Sequence, residues 1–405
     1  IPEAWLAPLG ERLEVQRCLL VRPLCLLFSN IGAIAGAGLS GLQEIASLNA
    51  LRTTMGALTT LVVIALVLAG MDRLDGLLFA SATGILLTGV VAWHLLQRKV
   101  GPLRVRPFYL DRAIGWELLW LGGSVQSLNL TAQFCDQLLR LLLGTYFGAA
   151  TMGAYDLAFR SAMGLRSLAS SLLTTMVPFT VGEHLRGGRE ALAQLHGRAV
   201  RYMTLFMIAG TTAAYAESFD LIHLWLGATG TEAQVLAFFR VLLIAHCLQP
   251  IASPVFSIGR ALADTTPEVV TVIAGNVVAV LLAAMLAHAT GWTATLPLTP
   301  DVVVIIAFSG TMSVAFMAGA LWLLARLKLP FDSVDVAKAC FAVAVPAMLA
   351  AWLSGRVVAA LITLPLLRIV LVSAIASITT AAMAMLAGLI GPDERRAWLR
   401  MLGRR

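Results

Sequence analysis

Stretches of this sequence long enough to cross a bilayer follow one another almost without interruption, and that pattern decides what the chain can fold into. A bilayer core of about 30 Å is crossed by roughly 20 apolar residues wound as a helix. By that ruler the chain carries eleven spans, near 20–41, 52–70, 76–97, 114–142, 152–178, 200–226, 233–258, 267–289, 301–325, 335–354 and 366–391. Within hydrocarbon every backbone N–H and C=O must be satisfied inside the protein, so only helices and closed barrels cross it. Each run here is continuous and rich in Leu and Ala, without the period-2 alternation of a barrel strand. Charged residues are 13% of the chain and hydrophobic residues 59%, whereas a soluble domain carries roughly a quarter charged. The sequence predicts an all-α, polytopic helical membrane protein.

The basic residues set an orientation. The formal charge is +7, but the Lys and Arg fall in short clusters between apolar runs, as topology signals do, so nucleic acid is not an expected partner. Arg98, Lys99, Arg104, Arg106 and Arg112 fill one loop, and Arg186, Arg189, Arg198 and Arg201 another. Arg326, Lys328 and Lys338 mark a third, and the tail carries Arg395, Arg396, Arg400, Arg404 and Arg405. The alternate loops at 143–151, 227–232 and 290–300 have no Lys or Arg. The positive-inside rule then places the C-terminus in the cytoplasm. Arg12, Arg17 and Arg22 disagree, standing before the first span on the expected outer side. The tail from Pro392 reads either as a short basic amphipathic helix on the inner leaflet or as a frayed solvated end. Cys18, Cys25, Cys135, Cys247 and Cys340 stand singly and read as small core residues. The histidines read as structural, and no metal site or cofactor is expected.

Two stretches about 217 residues apart, 39–70 and 257–288, share a layout of span end, short polar loop and new span. Six spans separate them, so both copies run the same way across the membrane, as in parallel transporter repeats.

Polar groups inside spans are costly and therefore informative, at roughly 2.5–3.5 kcal/mol for a charge at the bilayer centre on insertion scales. In the fourth span Gln126, Asn129, Gln133, Asp136 and Arg140 follow steps of three and four residues and share a helix face. In the fifth, Asp156, Arg160, Ser167, Ser171 and Thr174 share another, with Arg166 off the stripe. Two such faces on consecutive antiparallel helices can line a water-filled path. They can equally bind each other as packing glue, with Asp136–Arg140 and Asp156–Arg160 as i,i+4 pairs. Arg240 and Arg368 stand alone, placed to snorkel or to face a cavity. Glu217 and Asp220, beside His223 and Trp225, read as an interfacial belt. Pro250 and Pro254 lie four apart in the seventh span, where freed carbonyls can make a hinge. No catalytic constellation or phosphate loop is present, so an enzyme is not expected.

The order Asp136, Gly148, Gly153, Tyr155, Pro178, followed by Leu226-Gly227 and Gly259-Arg-Ala, resembles the polysaccharide flippases of the multidrug/oligosaccharidyl-lipid/polysaccharide (MOP) transporter superfamily. The resemblance implies a MATE-like bundle of two six-helix lobes plus two further helices, fourteen spans in all. The chain opens on Ile1, and its first span would correspond to the family's fourth, so about three spans are expected to be missing upstream. On that mapping 1–99 is a truncated N-terminal lobe, 100–330 the C-terminal lobe, and 331–405 two added spans with a basic tail.

The implied activity is the flipping of polyprenyl-diphosphate-linked oligosaccharide across the bacterial inner membrane, for O-antigen, exopolysaccharide or a related surface polysaccharide. Lipid-linked oligosaccharide, membrane lipids and polysaccharide polymerase or export machinery are the partners it implies, with coupling to H+ or Na+. On that reading Arg140, Arg160 and Arg166 hold the diphosphate, and Asp136 and Asp156 are the coupling candidates. The rivals are a MATE-type drug/cation antiporter, a glycosyltransferase of polysaccharide assembly, and a non-transporting component of the same machinery.

Overall fold

The computed structural model describes residues 29–30, 32–42, 44–70, 74–101, 111–173, 176–227, 230–289, 298–329, 338–362, 364–391 and 394. Side chains at 45, 74–79 and 339–340 lie outside that description. All regular structure among these residues is helical. The helices are α1 (Ile45–Leu68), α2 (Leu74–Val100), α3 (Arg112–Phe147), α4 (Ala149–Leu173), α5 (Met176–Ala216) and α6 (Ser218–Leu226). They continue as α7 (Glu232–Ala261), α8 (Thr266–His288), α9 (Pro300–Leu327), α10 (Val345–Leu361) and α11 (Pro365–Leu386). Residues 32–41 are helical as well, while 20–28 of the first expected span and the basic tail lie outside the described residues.

Among the described residues seven helices are long and apolar enough to cross a membrane: α1, α2, α7, α8, α9, α10 extended back to Phe341, and α11. The eleven expected spans are recut by the structure in three places. The fifth, 152–178, divides into α4, ending at Leu173, and α5, beginning at Met176. The basic loop after it is helix: α5 continues through Arg186–Arg201 and changes direction at Gly188, whose φ of 58° and ψ of −140° leave helical space. Its Ala, Leu, Arg and Glu residues are strong helix formers, and helix propensity does not depend on hydropathy. The sixth, 200–226, is interrupted at Glu217 between α5 and α6. A π-turn over Ala339–Ala344 leads into α10. Pro346 follows it at the head of α10, and its missing N–H and ring clash with the ordinary helical register account for the wider winding.

The chain forms two compact units, Ile1–Leu110 and Asp111–Arg405. In the first, Ala35, Leu39, Leu48, Ala92 and Leu96 make a small core between the 32–41 segment, α1 and α2. Glu44, in the turn before α1, accepts from Lys99 Nζ at 2.6 Å, and that hydrogen bond holds its carboxyl below the usual range.

In the second unit α7 is the central helix, packed by α4, α5 and α9. It buries Phe238, Leu242, Leu243, Val255 and Ile258 against its neighbours. The outer faces of the bundle carry large exposed apolar side chains, among them Trp116, Leu118, Leu119 and Trp120 of α3. Such a surface is insoluble in water and natural in lipid. The chain is a multi-pass membrane protein.

Helices α8 and α9 approach closest through glycine. A Cβ on Gly275 would stand 2.1 Å from Ala315 Cβ, and one on Gly319 2.1 Å from Thr271 Oγ1. Small residues at such crossings let backbones pack where lipid provides no hydrophobic drive. Gly275→Leu is expected to lower stability by about 1–3 kcal/mol, the usual cost of overpacking. Gly122→Ala, where a methyl meets open space, is the control, expected to stabilise by about 0.5–1 kcal/mol. Unfolding in detergent measures both.

Of the four residues read as an interfacial belt, His223 and Trp225 are exposed, whereas Glu217 and Asp220 form an interior junction. Glu217 and Asp220 are 5% and 6% exposed, and the Arg368 guanidinium of α11 is bound to Asp220. Arg240 does not snorkel: its Nε donates to Ser218 Oγ at 2.9 Å, and its guanidinium lies over the Tyr215 ring at 5.3 Å. The break at Glu217 turns two acids inward, where cations from α7 and α11 meet their side of the chain.

Candidate functional site

Two concave features of the second unit collect the polar residues of the membrane helices. The first is a cavity of about 360 Å³ walled by α3, α4, α5, α7, α8 and α9. Helix α3 contributes Asn129 and Asp136, two turns apart on one face, and α4 contributes Tyr155, Phe159, Arg166 and Ser170. Among the described residues Asp136 has no hydrogen-bond or ion-pair partner. Among the described residues the Arg166 side chain makes one hydrogen-bond contact, to Met163 Sδ at 4.0 Å. His246 of α7 is 7% exposed, and neither ring nitrogen has a partner. A carboxylate and a guanidinium that attract each other without a direct contact, and an imidazole with no hydrogen-bond partner among the described residues, thus share one space. Buried polar groups are ordinarily hydrogen-bonded, so this cavity is built to receive water, an ion or a ligand.

A satisfied pair also lines the cavity. Arg260 of α7 holds Glu268 of α8 in a two-pronged contact, Nη2 to Oε1 at 2.5 Å and Nε to Oε2 at 3.0 Å. Five aromatic rings, Tyr155, Phe159, Phe256, Phe308 and Phe316, make up much of the remaining wall.

The second feature is an open groove of about 700 Å³ between α3 and α4, lined by Gln137, Arg140, Asp156 and Arg160 with Leu141, Met152, Gly153 and Leu157. Asp156 lies between two cations, Arg140 Nε at 3.2 Å and Arg160 Nε at 2.8 Å. Arg160 is the more open, its side chain 71% exposed. The groove carries one net positive charge, with guanidinium N–H groups left over for an anion. Phe159 stands between the features: Arg140 lies over its ring at 5.4 Å, and its edge meets the His246 ring at 5.5 Å.

The structure therefore distributes the eight residues singled out in the sequence. Asn129, Asp136 and Arg166 reach the cavity, and Arg140, Asp156 and Arg160 the groove. Gln126 and Gln133 lie on the exposed side of α3 and line neither. Arg140 pairs across to Asp156 rather than along its own helix to Asp136. The cavity also draws on a stripe that sequence reasoning missed. His246, Gln249, Ser253, Ser257 and Arg260 follow steps of three and four along α7, a signal masked by attention to the prolines between them. Those prolines, Pro250 and Pro254, are both buried inside an unbroken α7. Ser313 Oγ of α9 donates to the Ala245 carbonyl at 3.1 Å, just ahead of them.

No family model matches the chain, and no curated protein matches it in sequence. Solved structures resemble it in fold. A MATE in its straight conformation superposes with a TM-score of 0.57 at 14% identity, over 77% of this chain and 88% of that one. An outward-facing multidrug resistance MATE family transporter of the MOP superfamily gives 0.54 at 13%, over 77% and 88%. The lipid II flippase MurJ, inward closed, gives 0.50 at 11%, over 91% and 92%. Identities this low show a shared fold. The expected MATE-like, all-helical architecture is the one observed.

Proposed function

We propose that this protein flips polyprenyl-diphosphate-linked oligosaccharide across the bacterial inner membrane for surface polysaccharide biosynthesis, with its C-terminus in the cytoplasm. The observation that carries the reading is the groove of Arg140, Asp156 and Arg160 on membrane helices of a MATE- and MurJ-like bundle. Guanidinium groups bind phosphate oxygens by paired, charge-assisted hydrogen bonds, while the lipid tail stays in the bilayer. Alternating access comes from rocking of the helices, with Pro250 and Pro254 as the hinge. Asp136, unpaired in the cavity behind the groove, is the coupling group for H+ or Na+. Asp156, held by two arginines, serves the anion site instead.

The deciding experiment deletes the gene in the parent bacterium and quantifies lipid-linked glycan on the cytoplasmic face of the inner membrane. Accumulation of finished units there, with surface polysaccharide lost, supports flipping; its absence rejects it. Within the reading, Asp136→Asn leaves the folded protein intact and makes transport indifferent to the imposed ion gradient, measured in proteoliposomes. Transport that still follows the gradient removes Asp136 from that role.

A drug/cation antiporter is the second reading, and the wall of the cavity favours it. Asp136 faces five aromatic rings there, an arrangement suited to organic cations. Arg166 in the same enclosure opposes it. Drug sensitivity of the deletion strain, without glycan accumulation, would favour the antiporter.

A further inference from the structure

The first unit has a groove of its own, of about 470 Å³, between the 32–41 segment, α1 and α2. Its one charged lining residue is Arg52. Arg52 stands seven residues into α1, about 10 Å along the helix at 1.5 Å per residue, within a segment apolar enough to span. Arg140, Arg160, Arg260, Arg326 and Arg368 each hold a carboxylate. Among the described residues Arg52 holds none. Its guanidinium is folded back toward Gly36, where a Cβ would lie 3.1 Å from Nη2. Arg52 is itself exposed, so its charge is open to a ligand, and an uncompensated cation within a span is unfavourable.

The other polar groups offer the opposite chemistry. Thr59, Thr60 and Thr88 donate their hydroxyl protons to the carbonyls of Met55, Gly56 and Gly84, at 2.8, 2.9 and 2.7 Å. Their protons are committed to the helix, and their oxygens remain as acceptors. The groove therefore presents one cluster of charged donors and several neutral acceptors. Its complement is an anion that also carries O–H donors. The walls at Ala33, Leu48 and Ile85 are apolar and belong to membrane helices, so the ligand arrives from the bilayer with its own acyl chains.

We propose that the groove beside Arg52 holds a bilayer phospholipid with one phosphodiester charge and a hydroxylated headgroup, of the phosphatidylglycerol type. One guanidinium matches one phosphodiester charge, whereas a diphosphate brings more. The proposal concerns the first unit and does not depend on the transport reading.

The test is native mass spectrometry of the full chain, purified and delipidated in detergent, with phosphatidylglycerol and phosphatidylmethanol as probes. The two share charge and chains and differ in headgroup hydroxyls. Wild type is expected to retain phosphatidylglycerol at least tenfold better than phosphatidylmethanol. Arg52→Gln is expected to lose at least tenfold in retention of both, and Arg52→Lys to keep an intermediate level. Thr60→Val with Thr88→Val is expected to erase the preference between the two lipids while leaving phosphatidylmethanol binding unchanged. Thermal unfolding without lipid certifies each variant, and if Arg52→Gln does not fold, the Lys and Val variants carry the comparison. Retention unchanged in Arg52→Gln, or no preference in wild type, overturns the proposal. Displacement of phosphatidylglycerol by a stoichiometric lipid-linked sugar diphosphate also overturns it and reassigns the groove to that ligand.

Discussion

With Arg140 and Arg160 both replaced by Ala, export of lipid-linked glycan falls at least ~100-fold while the protein remains folded in the membrane, because each charge-assisted hydrogen bond to phosphate is worth roughly 1.5–3 kcal/mol. The double change leaves Asp156 without its two cations. That residue keeps partial exposure, its side chain at 29%, so water relieves the lone carboxylate and misfolding does not explain the loss. Adding Asp156→Asn restores neutrality to the groove and is expected to leave export lost, because the anion has no donor to replace. Arg140→Lys with Arg160→Lys keeps the charge and gives up the two-pronged geometry, so an intermediate rate is expected. Radiolabelled glycan translocation in proteoliposomes, beside a count of folded protein by size exclusion, measures all three. Wild-type export from the Ala pair would detach the groove from the substrate.

Arg368→Ala is expected to be the most destabilising single change outside the apolar core, at about 3–5 kcal/mol, the cost of stranding one partner of a buried ion pair. Asp220 then faces the interior with Glu217 beside it and no cation from α11. Replacing both partners at once, Asp220→Asn with Arg368→Gln, is expected to recover most of the loss, since neither member of the pair is left as a stranded charge. Lys99→Ala is the contrast: its pair with Glu44 is surface-exposed, and such pairs add little. Denaturation in a mild detergent ranks the variants. An Arg368→Ala protein as stable as wild type would mean that the junction is solvated.

The spans were legible because hydropathy is a local property that survives in any stretch of about 20 residues. What failed was every feature that depends on a partner elsewhere in the chain. Arg368 and Asp220 are far apart in sequence and meet only when α11 packs on α6, so in the sequence Arg368 reads as a solitary charge and Asp220 as part of an interfacial belt. The polar stripe of α3 was real as a spacing, but a four-residue step turns a helix about 40° past a full turn. That turn separates Asp136, in the cavity, from Arg140, in the groove. On α4 the same geometry places Tyr155 and Phe159 toward the cavity and Asp156 and Arg160, one residue later, toward the groove. Helix α5 was misread for another reason: hydropathy finds what lipid accepts, not what is helical, and the first turns of α5 are too polar to count as a span.

Phe159 has the further effect of denying the cavity and the groove separate histories. A ring stacked under Arg140 on one side and set against His246 on the other can relax toward either neighbour only by leaving the other. Changes in the two compartments therefore do not add as independent sites would. The cost of a substitution in the groove is thus expected to change once the cavity has altered.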